Sequence, residues 1–176
     1  MRNQQVLIDS LPQGKLSAGN YRLAETEIAA PAAGEVLVKT TAFAITAGTR
    51  AGLQGSASYA GAPSTGVGEV IDSTVEAFSV GDAVVAPTGW QTLSLHEARA
   101  LTKIDPTHNP VDYLGPMGVN GLTAYFGLLQ IGKPKAGETV MVSAAAGSVG
   151  HIVGQMARIN GCRVVGVMGS DAKADV

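Results

Sequence analysis

Seven consecutive residues, Ala144, Ala145, Ala146, Gly147, Ser148, Val149 and Gly150, are the part of this sequence best suited to chemistry. A short apolar, β-branched run, Thr139 to Ser143, precedes them and reads as a buried parallel strand. After them Ile152, Val153, Met156 and Ile159 recur at helical spacing, with His151, Gln155 and Arg158 on the other side. A dinucleotide-binding turn is written Gly-x-Gly-x-x-Gly. Here Ala145 stands in the first place, and Gly147 and Gly150 in the other two. The missing side chain at Gly147 lets the backbone approach a pyrophosphate, and that at Gly150 lets the helix pack close to the strand. The helix N-terminus adds free N–H groups and a partial positive charge. The motif is weak alone, but it gains meaning from the strand before it and the helix after it. The competing reading is a small-residue turn that serves packing only.

The end of the next strand speaks to which dinucleotide. An NAD site usually carries an acid about 20 residues past the first glycine, for the ribose 2′-OH. This chain has Gly169 and Ser170 there, and Lys173 close behind. A missing carboxylate and a nearby cation favour NADP. Asp171 is the contrary feature, and Lys173 also reads as an ordinary solvated lysine.

The elements that must hold this turn form a β-α-β unit. Asn160 and Gly161 stop the helix, and residues 162–167 read as its second strand. Upstream, residues 1–111 read as an all-β domain, with strand candidates at 6–8, 21–27, 35–44, 66–74, 83–86 and 90–95. Short Gly/Pro turns separate most of them. Residues 46–65, rich in Gly, Ala and Ser and containing Arg50 and Tyr59, read as a long loop. Leu122, Tyr125, Phe126 and Leu129 predict the apolar face of a helix within 114–131, ended by Gly132. The second domain, 112–176, then holds two strands and one helix, the first part of a dinucleotide-binding sheet.

Composition narrows the class. The net charge of −2 gives no reason to expect nucleic acid or an anionic membrane as a partner. No run approaches the roughly 20 apolar residues of a membrane span. The lone Cys162 cannot make an internal disulfide, so the cytoplasm is the expected compartment and a core thiol the expected role. His96, His108, His151 and Cys162 are too scattered for a zinc set at a usual spacing. No Gly-x-Ser-x-Gly elbow precedes a helix, which leaves a Ser-His-Asp hydrolase unsupported.

Residues 118–127 (GVNGLTAYFG), 136–154 (AGETVMVSAAAGSVGHIVG) and 161–173 (GCRVVGVMGSDAK) resemble the medium-chain dehydrogenase/reductases. They are most similar to the zinc-independent branch of prostaglandin, alkenal and curcumin reductases. Residues 21–38 and 66–85, ending VGDAVV, resemble that family's GroES-like barrel. The resemblance implies a GroES-like β barrel followed by an incomplete α/β Rossmann domain, in a C-terminally truncated chain. It implies NADPH-dependent reduction of the C=C bond of an α,β-unsaturated ketone or aldehyde, a small-molecule enone or alkenal. By resemblance Gly147, Ser148, Val149 and Gly150 match the pyrophosphate turn, and Lys173 matches the lysine that contacts the 2′-phosphate. Thr123 matches a threonine beside the nicotinamide, although a capping or packing hydroxyl is an equal reading. Tyr59 matches a loop tyrosine near substrate, as proton donor or carbonyl partner. A ring that merely packs is its alternative. Two departures bear on the site. Ala47, Gly48, Thr49 and Arg50 replace a bulkier Pro-Tyr-Met-Arg-like stretch, and Asn120 replaces a proline.

The full-length form is expected to be a homodimer without metal. Residues 1–176 alone are expected not to turn over, because the strands that would flank the nicotinamide lie beyond Val176. The alternatives are a non-catalytic product or weak nucleotide-binding remnant and, among enzymes, a quinone reductase.

Overall fold

The computed structural model describes residues 1–47 and 64–174. They fall into two compact units, Met1–Val111 and Asp112–Val176.

The first unit is antiparallel β-structure. Its strands are β1 (Arg2–Ile8), β2 (Tyr21–Glu27), β3 (Glu35–Phe43), β4 (Gly66–Ser73), β5 (Ala83–Ala86), β6 (Leu93–Glu97) and β7 (Thr102–Lys103). β1 and β2 pair as a hairpin, and the other five form a sheet in the order β6-β3-β4-β5-β7. β3 lies inside this sheet between β6 and β4, and Val36, Leu37 and Val38 are all fully buried. Burial of consecutive residues means that both faces are covered, as barrel closure requires. Val36, Val38, Val70, Val84, Ala86 and Leu101 make the core, with Val75 and Phe78 packed against it.

The seam between hairpin and sheet runs through residues 90–93. Val6 N–H donates to the Trp90 carbonyl at 2.8 Å, and Thr92 N–H to the Gln4 carbonyl at 2.9 Å. Asn3 locks the seam from inside. It is 3% exposed. Its amide donates to Gln91 Oε1 at 2.9 Å, and its Oδ1 accepts from Leu93 N–H at 3.0 Å and from the Thr92 hydroxyl at 3.1 Å. Asn3→Ala strands the Leu93 N–H away from water. Urea unfolding is expected to show a loss of about 1–3 kcal/mol; a loss under about 0.5 kcal/mol, below the net value of an ordinary hydrogen bond, would mean that water replaces the amide.

The strand expectations differ from the structure mainly at their ends. β1 extends to Arg2 because all seven of its residues find partners in β2. The expected strand at 90–95 begins at Leu93, since residues 90–92 are occupied by the seam, and it continues to Glu97 against Glu35. β7 was not expected; two residues are too short to carry a pattern.

The second unit contains helix α1 (Val119–Tyr125), which runs on into a π-helical segment, Phe126–Gly132. Strand β8 (Thr139–Ser143), helix α2 (Gly150–Ile159) and strand β9 (Arg163–Val167) follow, and β8 and β9 pair in parallel. Within α1 and the π segment the buried residues are Asn120, Gly121, Ala124 and Leu128. Of the four residues expected on the apolar face, Leu122, Tyr125 and Phe126 are exposed, while Leu129 packs against the core of the unit. The small residues face inward instead. A Cβ on Gly121 would run into the Pro116 carbonyl and stand 2.6 Å from its carbon, so only glycine permits this approach. The helix ends one residue later than expected, at Lys133, whose backbone is left-handed.

Leu128, Ala157 and Cys162 form the core of this unit, with Val140, Val153, Met156 and Val164 against it. α2 therefore covers one face of the β8–β9 pair. The other face shows Met141, Val165 and Val167 to solvent, so β8 is parallel as expected but buried on one side only. Ile159, assigned to the apolar side of α2, is exposed, whereas Ile152 and Ala157 are buried.

Candidate functional site

The turn between β8 and α2 is built around one carbonyl. Ala144 has a left-handed backbone, with φ +50°, a conformation uncommon for any residue with a Cβ. Its carbonyl thereby points back under the turn and accepts the Gly147 N–H at 2.8 Å. A Cβ on Gly150 would overlap that carbonyl and lie 2.9 Å from the Ala145 Cα; one on Gly147 would lie 3.0 Å from the same oxygen. Gly150 is thus required by close approach, whereas a Cβ at Gly147 would need the Ala144 carbonyl to yield by a few tenths of an ångström. Ala145 N–H donates to the Val167 carbonyl at 3.1 Å, which ties the turn to the end of β9.

A second clamp had no sequence signal beyond its spacing. His151, four residues after Gly147, donates through both its backbone N–H (3.1 Å) and its ring Nδ1 (2.8 Å) to the Gly147 carbonyl. A carbonyl can only accept, so the ring proton sits on Nδ1. The expectation of His151 on the polar side of the helix misses this role. Among the leading N–H groups of α2, that of Val153 is also taken, by the Val149 carbonyl at 3.0 Å; those of Gly150 and Ile152 remain for an anion at the helix start.

Beside the turn lies a groove of about 410 Å³. Ala145, Ala146 and Gly150 form one end, Gly166 and Met168 of the β9 end its floor, and Lys173 joins the same lining. Lys173 is held by a short 3₁₀ turn, Asp171–Lys173. Asp171, the competing feature, is not among the lining residues. The groove has the parts for an anionic dinucleotide end: backbone free to approach, a helix start and a cation.

The remaining expectations separate. Thr123 is exposed on α1 and donates its hydroxyl proton to the Val119 carbonyl at 2.6 Å, a bond within its own helix. It is not among the groove residues. Asn120, in place of a proline, is buried and donates to the Leu114 carbonyl at 3.3 Å. Tyr59 and the Gly48, Thr49 and Arg50 stretch lie outside the described residues. Among the described residues no three His, Cys, Asp or Glu come together as a metal set. His96 bonds Ser94 Oγ at 2.7 Å, and burial pushes its pKa below the usual histidine value. Cys162 is buried, with its thiol 3.4 Å from the Lys135 carbonyl. No helix among the described residues is long and apolar enough to cross a membrane.

A family described as the N-terminal domain of oxidoreductase matches residues 4–104. The chain belongs to the medium-chain dehydrogenase/reductase family. It has that family's N-terminal GroES-like barrel and part of its Rossmann portion. It is 44% identical over 98% of its length to 53% of a putative NADP-dependent oxidoreductase, YfmJ, of Bacillus subtilis. It is 38% identical over 98% of its length to 52% of the NADPH-dependent curcumin reductase of Escherichia coli. Among solved structures, CurA of Vibrio vulnificus in complex with NADPH superposes with a TM-score of 0.86 at 36% identity, over 98% of this chain and 53% of that one. The chain thus spans about half the length of these relatives.

Proposed function

We propose that this polypeptide contributes the barrel and the pyrophosphate turn of an NADPH-dependent reductase acting on the C=C bond of α,β-unsaturated ketones or aldehydes. The observation that carries the reading is the groove in which Gly150 and Lys173 share one lining. The backbone at Gly147, Ser148, Val149 and Gly150, of which Gly150 lines the groove, would hold the pyrophosphate, and the Lys173 ammonium the 2′-phosphate. NADPH supplies the hydride when bound; the chain supplies position and charge. Thr123 keeps its proposed place beside the nicotinamide through its oxygen lone pairs, since its proton is engaged. Tyr59 keeps its proposed place as proton donor or carbonyl partner. Support for an enone substrate comes from the relative named for curcumin, a conjugated ketone.

The test adds NADPH and methyl vinyl ketone to a form as long as its relatives, follows absorbance of the reduced cofactor, and identifies the product. Butan-2-one is the expected product; allylic alcohol would mean carbonyl reduction instead. Turnover of a quinone alone would move the assignment to the quinone reductases. Residues 1–176 alone are expected to give no turnover. The form as long as its relatives is expected to hold no stoichiometric zinc and to keep its rate in chelator. One zinc per chain by elemental analysis, with activity lost on its removal, would reverse the zinc-independent assignment. We also propose a cytoplasmic homodimer, in keeping with the single buried thiol; light scattering tests the dimer.

A further inference from the structure

The Gly147 carbonyl carries one hydrogen bond more than a helix start requires. It accepts the His151 backbone N–H at 3.1 Å, the bond from four residues on that an α-helix prescribes. It also accepts the His151 ring Nδ1–H at 2.8 Å, and this second bond is the shorter. The ring lines the groove that Gly150 and Lys173 share. Nothing in helix formation calls for the ring bond, since the carbonyl is already paired.

Its consequence lies on the other side of the same peptide. A trans peptide is planar, so the Gly147 carbonyl and the Ser148 N–H point in opposite directions. With the carbonyl turned towards α2, the Ser148 N–H is turned away from it, to the side where an anion at the helix start would lie. Ser148 is exposed, and no backbone carbonyl among the described residues accepts its N–H. Glycine resists rotation of its own peptide less than any other residue, so the 147–148 peptide needs holding. A half-turn of it would set a carbonyl oxygen where the N–H had been, lone pairs against phosphate oxygens. We propose that His151 is a positioning residue for the dinucleotide: its ring Nδ1–H holds the Gly147 carbonyl against α2 and so keeps the Ser148 N–H turned out to the pyrophosphate. The inference rests on the proposed reading of this turn as a pyrophosphate turn, and it is indifferent to whether the substrate is an enone or a quinone.

Two small probes isolate the phosphates. ADP has the pyrophosphate without a 2′-phosphate, and adenosine 2′-monophosphate has the reverse. Both are titrated, beside NADPH and NADH, into the form as long as its relatives. His151→Leu keeps the bulk and removes the donor. It is expected to weaken NADPH, NADH and ADP alike, about three- to tenfold for one lost hydrogen bond, and to leave adenosine 2′-monophosphate unchanged. His151→Asn sets an amide N–H where Nδ1 stood and is expected to restore the affinities. A role in helix stability alone predicts the opposite order, because leucine is the better helix former. If His151→Leu fails to fold, the parent protein decides: its Ser148 amide resonance is expected to shift saturably with ADP and to stay still with adenosine 2′-monophosphate. Equal ADP affinity in the parent and His151→Leu would overturn the proposal, as would His151→Asn binding no better than His151→Leu, or a Ser148 amide that ADP does not move. A loss confined to NADPH would also overturn it, by placing the ring at the 2′-phosphate. A parent protein that binds neither ADP nor NADPH would remove the pyrophosphate reading itself, and this inference with it.

Discussion

Gly150→Val abolishes NADPH binding: that is the expected result of placing a side chain where the turn has no room for one. The new Cβ would overlap the Ala144 carbonyl and press on the Ala145 Cα at 2.9 Å, contacts with backbone rather than with a movable side chain. Relief requires the strand end and the helix start to move apart. That movement breaks the alignment of the leading N–H groups of α2. Overpacking costs about 1–3 kcal/mol where side chains can yield, and more where they cannot. A loss of about 3 kcal/mol corresponds to roughly 150-fold in affinity. Gly127→Ala is the control, because its Cβ would meet nothing within 4 Å and the residue is not part of the groove lining. That variant is expected to bind NADPH like the parent. Affinity of the Gly150→Val protein within threefold of the parent, in titrations by reduced-cofactor fluorescence, would show that the phosphates are held elsewhere.

Lys173→Ala separates the two cofactors. The groove lining carries two cations, Arg158 of α2 and Lys173, and the ammonium is the one at the 3₁₀ turn after β9. A hydrogen bond to a charged group is worth about 1.5–3 kcal/mol, so the variant is expected to bind NADPH roughly tenfold to 150-fold more weakly. NADH, which has no 2′-phosphate, should lose nothing. High salt should narrow the gap, because the lysine is exposed. Equal losses for both cofactors would remove the NADP assignment and leave Lys173 as a packing residue of the groove.

The local features of the site are legible in the sequence because they are local. The β8–turn–α2 order is written in a β-branched run, two glycines three apart and a helical repeat, and each of these is a short-range pattern. What escapes notice depends on geometry that no residue type announces. Ala144 adopts a left-handed backbone, and nothing about alanine predicts it. His151 looks like a solvated helix residue until its ring is seen on the Gly147 carbonyl. In α1 the periodicity finds a genuine apolar stripe in Leu122, Tyr125 and Phe126, but it cannot say that the contact surface is the small-residue stripe through Gly121 and Ala124. Small residues win there because they let backbones come closer than leucine would. In the barrel, no sequence pattern singles out Asn3, and only the fold shows it buried with three bonds.

That Asn3 seam also sets a timetable. The side chain that closes the barrel is made 88 to 90 positions before the groups it must reach. At about 5–20 residues per second, a ribosome needs roughly 5–20 seconds to supply them. During that interval β1 and β2 can pair only with each other, and a lone hairpin is marginally stable in water. The nascent barrel is therefore open along one edge for most of its own synthesis, with Asn3 unpaired and Ile8 uncovered. A holding chaperone or a slowed stretch of translation would act in that window, which closes only once β6, Leu101 and β7 have followed.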